Sequence, residues 1–215
     1  MTCCAIFDET VDQQFTQKKA QQELERYRQK GPGPTARLLL QGLTQARVIK
    51  GALLDIGAGV GALTFELLDR GIDRAVIVEA SAGYATAARD ESVRRGRTSD
   101  VELTRGDFVQ VGTTLPMAQV VTLDRVVCCY PVYEPLLTEA LRHTERALAV
   151  SYPRDRWYIR AVMRLDNALR APKNKFKTFV HPETQIRDLI TRSGFELVFR
   201  KHTFVWSADV FVRRG

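Results

Sequence analysis

Histidine is scarce in this sequence, and cysteine is arranged poorly for metal binding. The 215 residues hold three histidines, His143, His181 and His202, and four cysteines in two adjacent pairs, Cys3-Cys4 and Cys128-Cys129. No CxxC or Cys/His spacing is present to build a zinc site, and neighbours in sequence rarely bridge each other. The cysteines therefore read as reduced thiols, with Cys128-Cys129 as small apolar filler at a strand end; a redox or soft-metal role is the alternative. Apolar runs such as Ala75 to Val78 and Val126 to Cys129 fall far short of the roughly 18 residues that a membrane-spanning helix needs. The first ten residues show neither a basic leader nor a sustained apolar stretch, so secretion is not expected and a cytoplasmic address is. Internal repeats are absent, and 14 Gly with 8 Pro exclude a collagenous or low-complexity chain.

A 45% hydrophobic and 27% charged composition describes a globular protein. Its length accommodates one well-buried core with extensions rather than two full-sized domains. The net charge of +7 is unevenly placed. Residues 1–150 hold 18 Lys/Arg against 19 Asp/Glu, and residues 151–215 hold 14 against 6. The excess is densest between Arg154 and Lys177, a segment suited to meeting an anion.

Residues 8–30 are polar with scattered apolar positions and read as a peripheral helix ending before Gly31-Pro32-Gly33-Pro34. Leu38, Leu39 and Leu43 place a second helix over 35–46. From Gly51, short apolar runs alternate with amphipathic stretches, the signature of a parallel sheet with covering helices. Strands are expected at 52–56, 75–79, 101–105, 121–128 and 147–152, with helices at 61–69, 81–95 and 133–146 between them. After Tyr152 the rhythm breaks. Residues 155–170 form a helix with an apolar face of Trp157, Ala161, Leu165, Ala168 and Leu169 and a basic face of Arg156, Arg160 and Arg164. A helix from Pro182 to about Arg192 and two β-rich runs, 196–203 and 204–212, complete the chain. The last two are expected as an antiparallel pair at the sheet edge.

The chemistry concentrates in Asp55-Ile56-Gly57-Ala58-Gly59-Val60-Gly61-Ala62, at the end of a strand and leading into a helix. The glycines allow a tight turn and close approach of a ligand to the backbone, with a helix N-terminus facing the crevice. Residues 57–62 also satisfy the dinucleotide fingerprint GxGxxG/A, with Glu79 about 20 residues on to hold a ribose. The loop alone leaves both cofactor classes open. Taken singly, Asp55 reads equally well as a turn residue, Glu79 as a helix cap and Phe108 as core.

With Asp55, Gly61, Glu79 at the second strand tip and Asp107-Phe108 beyond the third strand, the sequence resembles the class I S-adenosylmethionine-dependent methyltransferases. That resemblance implies a Rossmann-like α/β fold: a doubly wound, mostly parallel seven-stranded sheet with an antiparallel last strand and helices on both faces. It implies S-adenosyl-L-methionine as donor and S-adenosyl-L-homocysteine as product. Asp55, Gly57, Ala58, Gly59 and Gly61 would wrap the methionine part, Glu79 the ribose hydroxyls, Asp107 and Phe108 the adenine, with Cys128 beside them. Residues 1–48 would form a helical extension that folds over the donor as a lid, as in that family, or covers a sheet edge. Residues 49–215 would form the donor-binding domain, with a basic insertion at about 153–178.

The fourth strand should end beside the departing methyl group. Enzymes of this fold that methylate base amines carry Asp/Asn-Pro-Pro-aromatic there, whereas this chain has Cys128-Cys129-Tyr130-Pro131, which disfavours exocyclic amines. Tyr130 is the best-placed polar side chain, for orienting an acceptor or simply for packing. Tyr133, Arg156 and Arg160 are further candidates for acceptor binding. The histidines read as structural, with His181 as a cap before Pro182. Val127 to Pro131 and Phe179 to Pro182 are also similar to the magnesium-protoporphyrin O-methyltransferases and their bacterial relatives, which esterify a propionate. Those enzymes carry His where Cys129 stands. The resulting expectation is a methyltransferase acting on a small, anionic acceptor at oxygen. A nucleic-acid methyltransferase tracking phosphates with residues 154–177 is the first rival, and a non-catalytic donor-binding module the second.

Overall fold

The computed structural model describes residues 10–172 and 174–215; Cys3 and Cys4 lie outside them. The helices are α1 Gln17–Lys30, α2 Pro34–Gln45, α3 Ala62–Leu68, α4 Ala82–Arg94, α5 Phe108–Val111, α6 Glu134–His143, α7 Trp157–Arg170 and α8 Glu183–Arg192. The strands are β1 Gly51–Ile56, β2 Ile72–Glu79, β3 Val101–Arg105, β4 Ala118–Leu123, β5 Thr144–Pro153, β6 Phe195–His202 and β7 Trp206–Arg213. They make one sheet in the order β3-β2-β1-β4-β5-β7-β6. The first five run parallel, and β7 lies antiparallel between β5 and β6.

Side chains alternate across a strand, so neighbouring apolar residues feed opposite layers. Leu53 packs under α1, α2 and α3 with Leu24, Leu39, Leu43 and Phe65. Leu54 packs on the other face with Leu136 and Leu137 of α6 and Ile186 and Ile190 of α8. The product is a helix–sheet–helix sandwich, the doubly wound α/β arrangement. Among the described residues no helix is long and apolar enough to cross a membrane.

Three local expectations need correction. The fourth strand begins at Ala118 and stops at Leu123, and Val127–Cys129 is a single 3-10 turn. The apolar run 126–129 is buried as a turn, a case that hydrophobicity alone does not distinguish from a buried strand. The N-terminal helix is broken: residues 10–14 form a helical turn, the chain bends at Phe15, and Thr16 caps α1 by accepting from Lys19 N–H. In α7, Ile159 is the one fully buried residue. His181 does not cap α8; Pro182 occupies that position without a side-chain bond, and the His181 Nε2–H donates to the Tyr130 carbonyl at 2.9 Å.

Candidate active site

The carboxyl ends of β1, β2 and β4 open into a cleft. Its floor is the turn after β1. Gly57, Gly59 and Gly61 all have positive φ, at 63°, 61° and 77°. At Gly57 a Cβ would also lie 2.5 Å from Val126 Cγ2, so any side chain there would strain the backbone and collide with the turn after β4.

Two acids brace this turn from below. Asp55 is fully buried and accepts from the Thr122 and Thr64 hydroxyls, both at 2.6 Å, tying β1 to β4 and to α3. Burial pushes its carboxyl up to about 6 against those two hydrogen bonds. Glu79 ends β2. Its Oε2 accepts from Gly59 N–H at 2.8 Å and its Oε1 from Ser81 N–H at 2.9 Å. Burial again dominates, raising Glu79 to about 7, while the two backbone N–H groups oppose the rise. Each carboxylate oxygen has a second lone pair, so this clamp orients Glu79 without exhausting it.

The roof comes from elsewhere in the chain. Residues 10–17 sit on the N-terminus of α4: Asp12 accepts from Ala82 N–H at 2.8 Å, and the Ser81 hydroxyl donates to the Phe15 carbonyl at 2.7 Å. Gly83 makes this seat possible, because a Cβ there would lie 2.7 Å from the Gln17 backbone. Phe15 is thereby held edge-on to Tyr84, with centroids 5.8 Å apart, and to Phe176 of the insertion, at 5.2 Å. All three rings line the cleft.

The wall after β4 carries the remaining polar groups. Asp124 accepts from the Ser151 hydroxyl at 2.5 Å and from the Thr35 hydroxyl at 3.1 Å. Arg125 follows with φ 62°, its backbone N–H bonded to Ser151 and its guanidinium over the Trp206 ring at 5.7 Å. Tyr130 donates its hydroxyl to Asp107 Oδ1 at 2.5 Å, and burial followed by the Asp107 charge holds its phenol well above the ordinary value.

Of the residues expected from sequence, Asp55, Gly57, Ala58, Gly59, Glu79, Phe108 and Tyr130 line the cleft. Gly61 lies just behind it as the N-cap of α3. Asp107 stands beside it, capping α5 through Val109 N–H and holding Tyr130. Cys128 is buried behind the wall, with its thiol 3.4 Å from the Arg125 carbonyl, and Cys129 is the cysteine that faces the cleft. Tyr133 packs on His181, centroids 4.8 Å apart, outside the lining. Arg156 and Arg160 are exposed away from it, Arg160 paired with Asp155 at 2.6 Å. Sequence reasoning missed Phe15, Glu23, Tyr84, Asp124, Arg125 and Phe176. Only Asp124-Arg125, directly after a strand, carried a usable local signal.

The lining is acidic. Glu23, Asp55, Glu79 and Asp124 face it, and among the described lining residues Arg125 is the single Lys or Arg. Such a cavity favours a ligand that carries positive charge.

The chain matches no protein-family model and no curated protein sequence. Solved structures do resemble it. The magnesium protoporphyrin IX methyltransferase from Synechocystis PCC 6803, solved with bound S-adenosylmethionine, is 15% identical with a TM-score of 0.67, over 96% of this chain and 97% of that one. An O-methyltransferase family protein from Burkholderia thailandensis gives a TM-score of 0.73 at 14% identity, over 96% of this chain and 63% of the other. A putative RNA methyltransferase from Pyrococcus horikoshii gives 0.60 at 15% identity, over 86% and 84%. The fold is that of the class I S-adenosylmethionine-dependent methyltransferases. The particular likenesses include a porphyrin methyltransferase, an O-methyltransferase family protein and a putative RNA methyltransferase, so they fix the scaffold and not the acceptor.

Proposed function

We propose that this chain is an S-adenosylmethionine-dependent methyltransferase acting at oxygen on a small acceptor that carries a carboxylate or another anionic group. The observation that carries the reading is Glu79, fixed at the tip of β2 by Gly59 and Ser81 and facing the cleft. Its free lone pairs are those of a bidentate acceptor for two vicinal ribose hydroxyls. The Gly57–Gly61 turn would cup the methionine part, with Asp55 fixing the turn from beneath. Gly106 and Phe108 would bound the adenine, and Asp107 would act on it through its hold on the β3–α5 turn. Cys129 rather than Cys128 would face the donor.

S-adenosylmethionine supplies a sulfonium methyl: as the acceptor oxygen forms its bond to carbon, the carbon–sulfur bond breaks and the electron pair stays on sulfur as S-adenosylhomocysteine. A carboxylate acceptor ends as a neutral ester and releases no proton, so the site needs alignment and dryness more than a base. That agrees with the groups at hand. Tyr130 has a raised phenol pKa, so its hydroxyl donates rather than abstracts. His181 is held below its ordinary value by burial, with Nε2–H committed to a carbonyl. In this reading Arg125 anchors the acceptor's anion against an otherwise acidic wall, and Phe15 and Phe176 close the site to water.

The test is transfer of labelled methyl from S-adenosylmethionine into fractionated cell extract. The proposal expects label in small, base-labile esters. Label in RNA or DNA would replace it with the nucleic-acid reading, and donor binding by calorimetry with no label in any fraction would leave a binding module.

A further inference from the structure

The helix α7 is amphipathic in sequence, yet it shows its apolar side to solvent. At 3.6 residues per turn, Trp157, Ala161, Leu165, Ala168 and Leu169 share an arc of about 120°, and Ile159, the residue that anchors the helix to the body, lies opposite that arc. Trp157 is 81% exposed, Leu165 61% and Leu169 69%. The patch continues onto the β6–β7 turn, where Phe204 is 75% exposed and stacks at 5.6 Å on Tyr158, itself edge-on to Trp157. A single exposed leucine is ordinary; a contiguous stripe with three aromatics at one end marks an interaction surface.

The flank of the stripe identifies the occupant. Arg156, Arg160 and Arg164, four residues apart, run along one edge, and Lys175 and Lys177 are exposed in the loop that follows. Asp155 and Asp166 are the two acids of the segment, and each is engaged by an arginine, Arg160 and Arg170. Antiparallel pairing of two copies through the stripe would set the arginine row against its own counterpart, so like charges would meet. The stripe lies on the exposed side of a helix. A fluid interface conforms to it, taking Trp, Phe and Leu into the acyl boundary while long cationic side chains reach back to the headgroups.

We propose that α7 and the Phe204 turn dock this protein on an anionic lipid surface, with the helix lying in the plane of the interface. The docking does not depend on the identity of the methyl acceptor. It is tested by sedimentation with vesicles of phosphatidylglycerol and phosphatidylcholine in equal parts, against phosphatidylcholine alone. The expected result is pelleting with the anionic vesicles, weakened by salt, and a blue shift of Trp157 emission that Trp157→Phe abolishes. Leu165→Ser with Leu169→Ser should cut vesicle binding tenfold or more while helical content and donor affinity stay unchanged. Arg164→Glu should reduce it by a smaller factor. Absence of binding to the anionic vesicles would overturn the proposal. So would binding that the leucine pair leaves intact, or a dimer in solution that the leucine pair dissolves.

Discussion

Glu79 and Tyr130 line the same cleft but are held by different means. Glu79 is positioned by backbone N–H groups of two turns at adjacent strand ends, and the turn beneath it is pinned by a buried aspartate. Tyr130 is held by the side chain of Asp107, the part-exposed cap of a four-residue helix, and its backbone carbonyl by His181 from the far side of the insertion. The proposed donor side is thus set by main chain and sheet register, which tolerate little change. The acceptor side is set by side chains on loops, which one substitution can re-aim. A scaffold shared with proteins described as porphyrin, O- and RNA methyltransferases is consistent with that division, since function resides in sites grafted on a common fold.

The largest test of the contrast is Gly57→Ala. It combines a left-handed backbone with a Cβ against Val126, a cost on the order of 1–3 kcal/mol from each source. Donor affinity by calorimetry should fall about 100-fold or more, and Val126→Ala in the same chain should restore part of it. Affinity unchanged by Gly57→Ala would mean that the donor side is not rigid. Next, Glu79→Ala should weaken donor binding by roughly 1–3 kcal/mol, as expected for hydrogen bonds to a charged group. An acceptor-side change such as Tyr130→Phe should leave donor affinity alone and lower kcat/KM several-fold, by about 1 kcal/mol; a shift in donor affinity instead would show the two halves to be coupled.

The smallest effect is in pH. Burial raises Glu79 to about 7 in the free protein, and the ligand contacts proposed here need the ionised form. Donor affinity should therefore be flat above about pH 7.5 and fall below pH 7, by at most tenfold per unit, with proton release on binding at neutral pH. Glu79→Ala should flatten that profile. A wild-type profile that is already flat would remove Glu79 from direct contact.

The sequence carried most of the donor side because its signals are local. An acid, a run of glycines and the next strand tip occur in fixed order along the chain, and parallel pairing of β1 with β2 brings them together. The acceptor side depends on placements that no local pattern encodes. Phe15 turns inward because Asp12 and the Gly83 seat bend the chain there, and Phe176 arrives from a loop 160 residues away. Arg125 points where it does through a positive φ that a non-glycine residue rarely adopts. Periodicity identified α7 correctly as amphipathic but gave no sign of which face turns inward. In the fold Ile159 is the fully buried residue of the helix, and the leucine stripe faces solvent. The acceptor roles expected for Arg156 and Arg160 rested on their charge, and the fold sets both apart from the cleft.

The contact of Phe15 with Phe176, reinforced by Asn174 donating to Gln14 at 3.0 Å, ties the first described segment to one made late in synthesis. A chain emerging from the ribosome has its glycine turn and both buried acids long before it has that ceiling. A product that ended before residue 176 would lack that ring and leave its bowl open to water on that side.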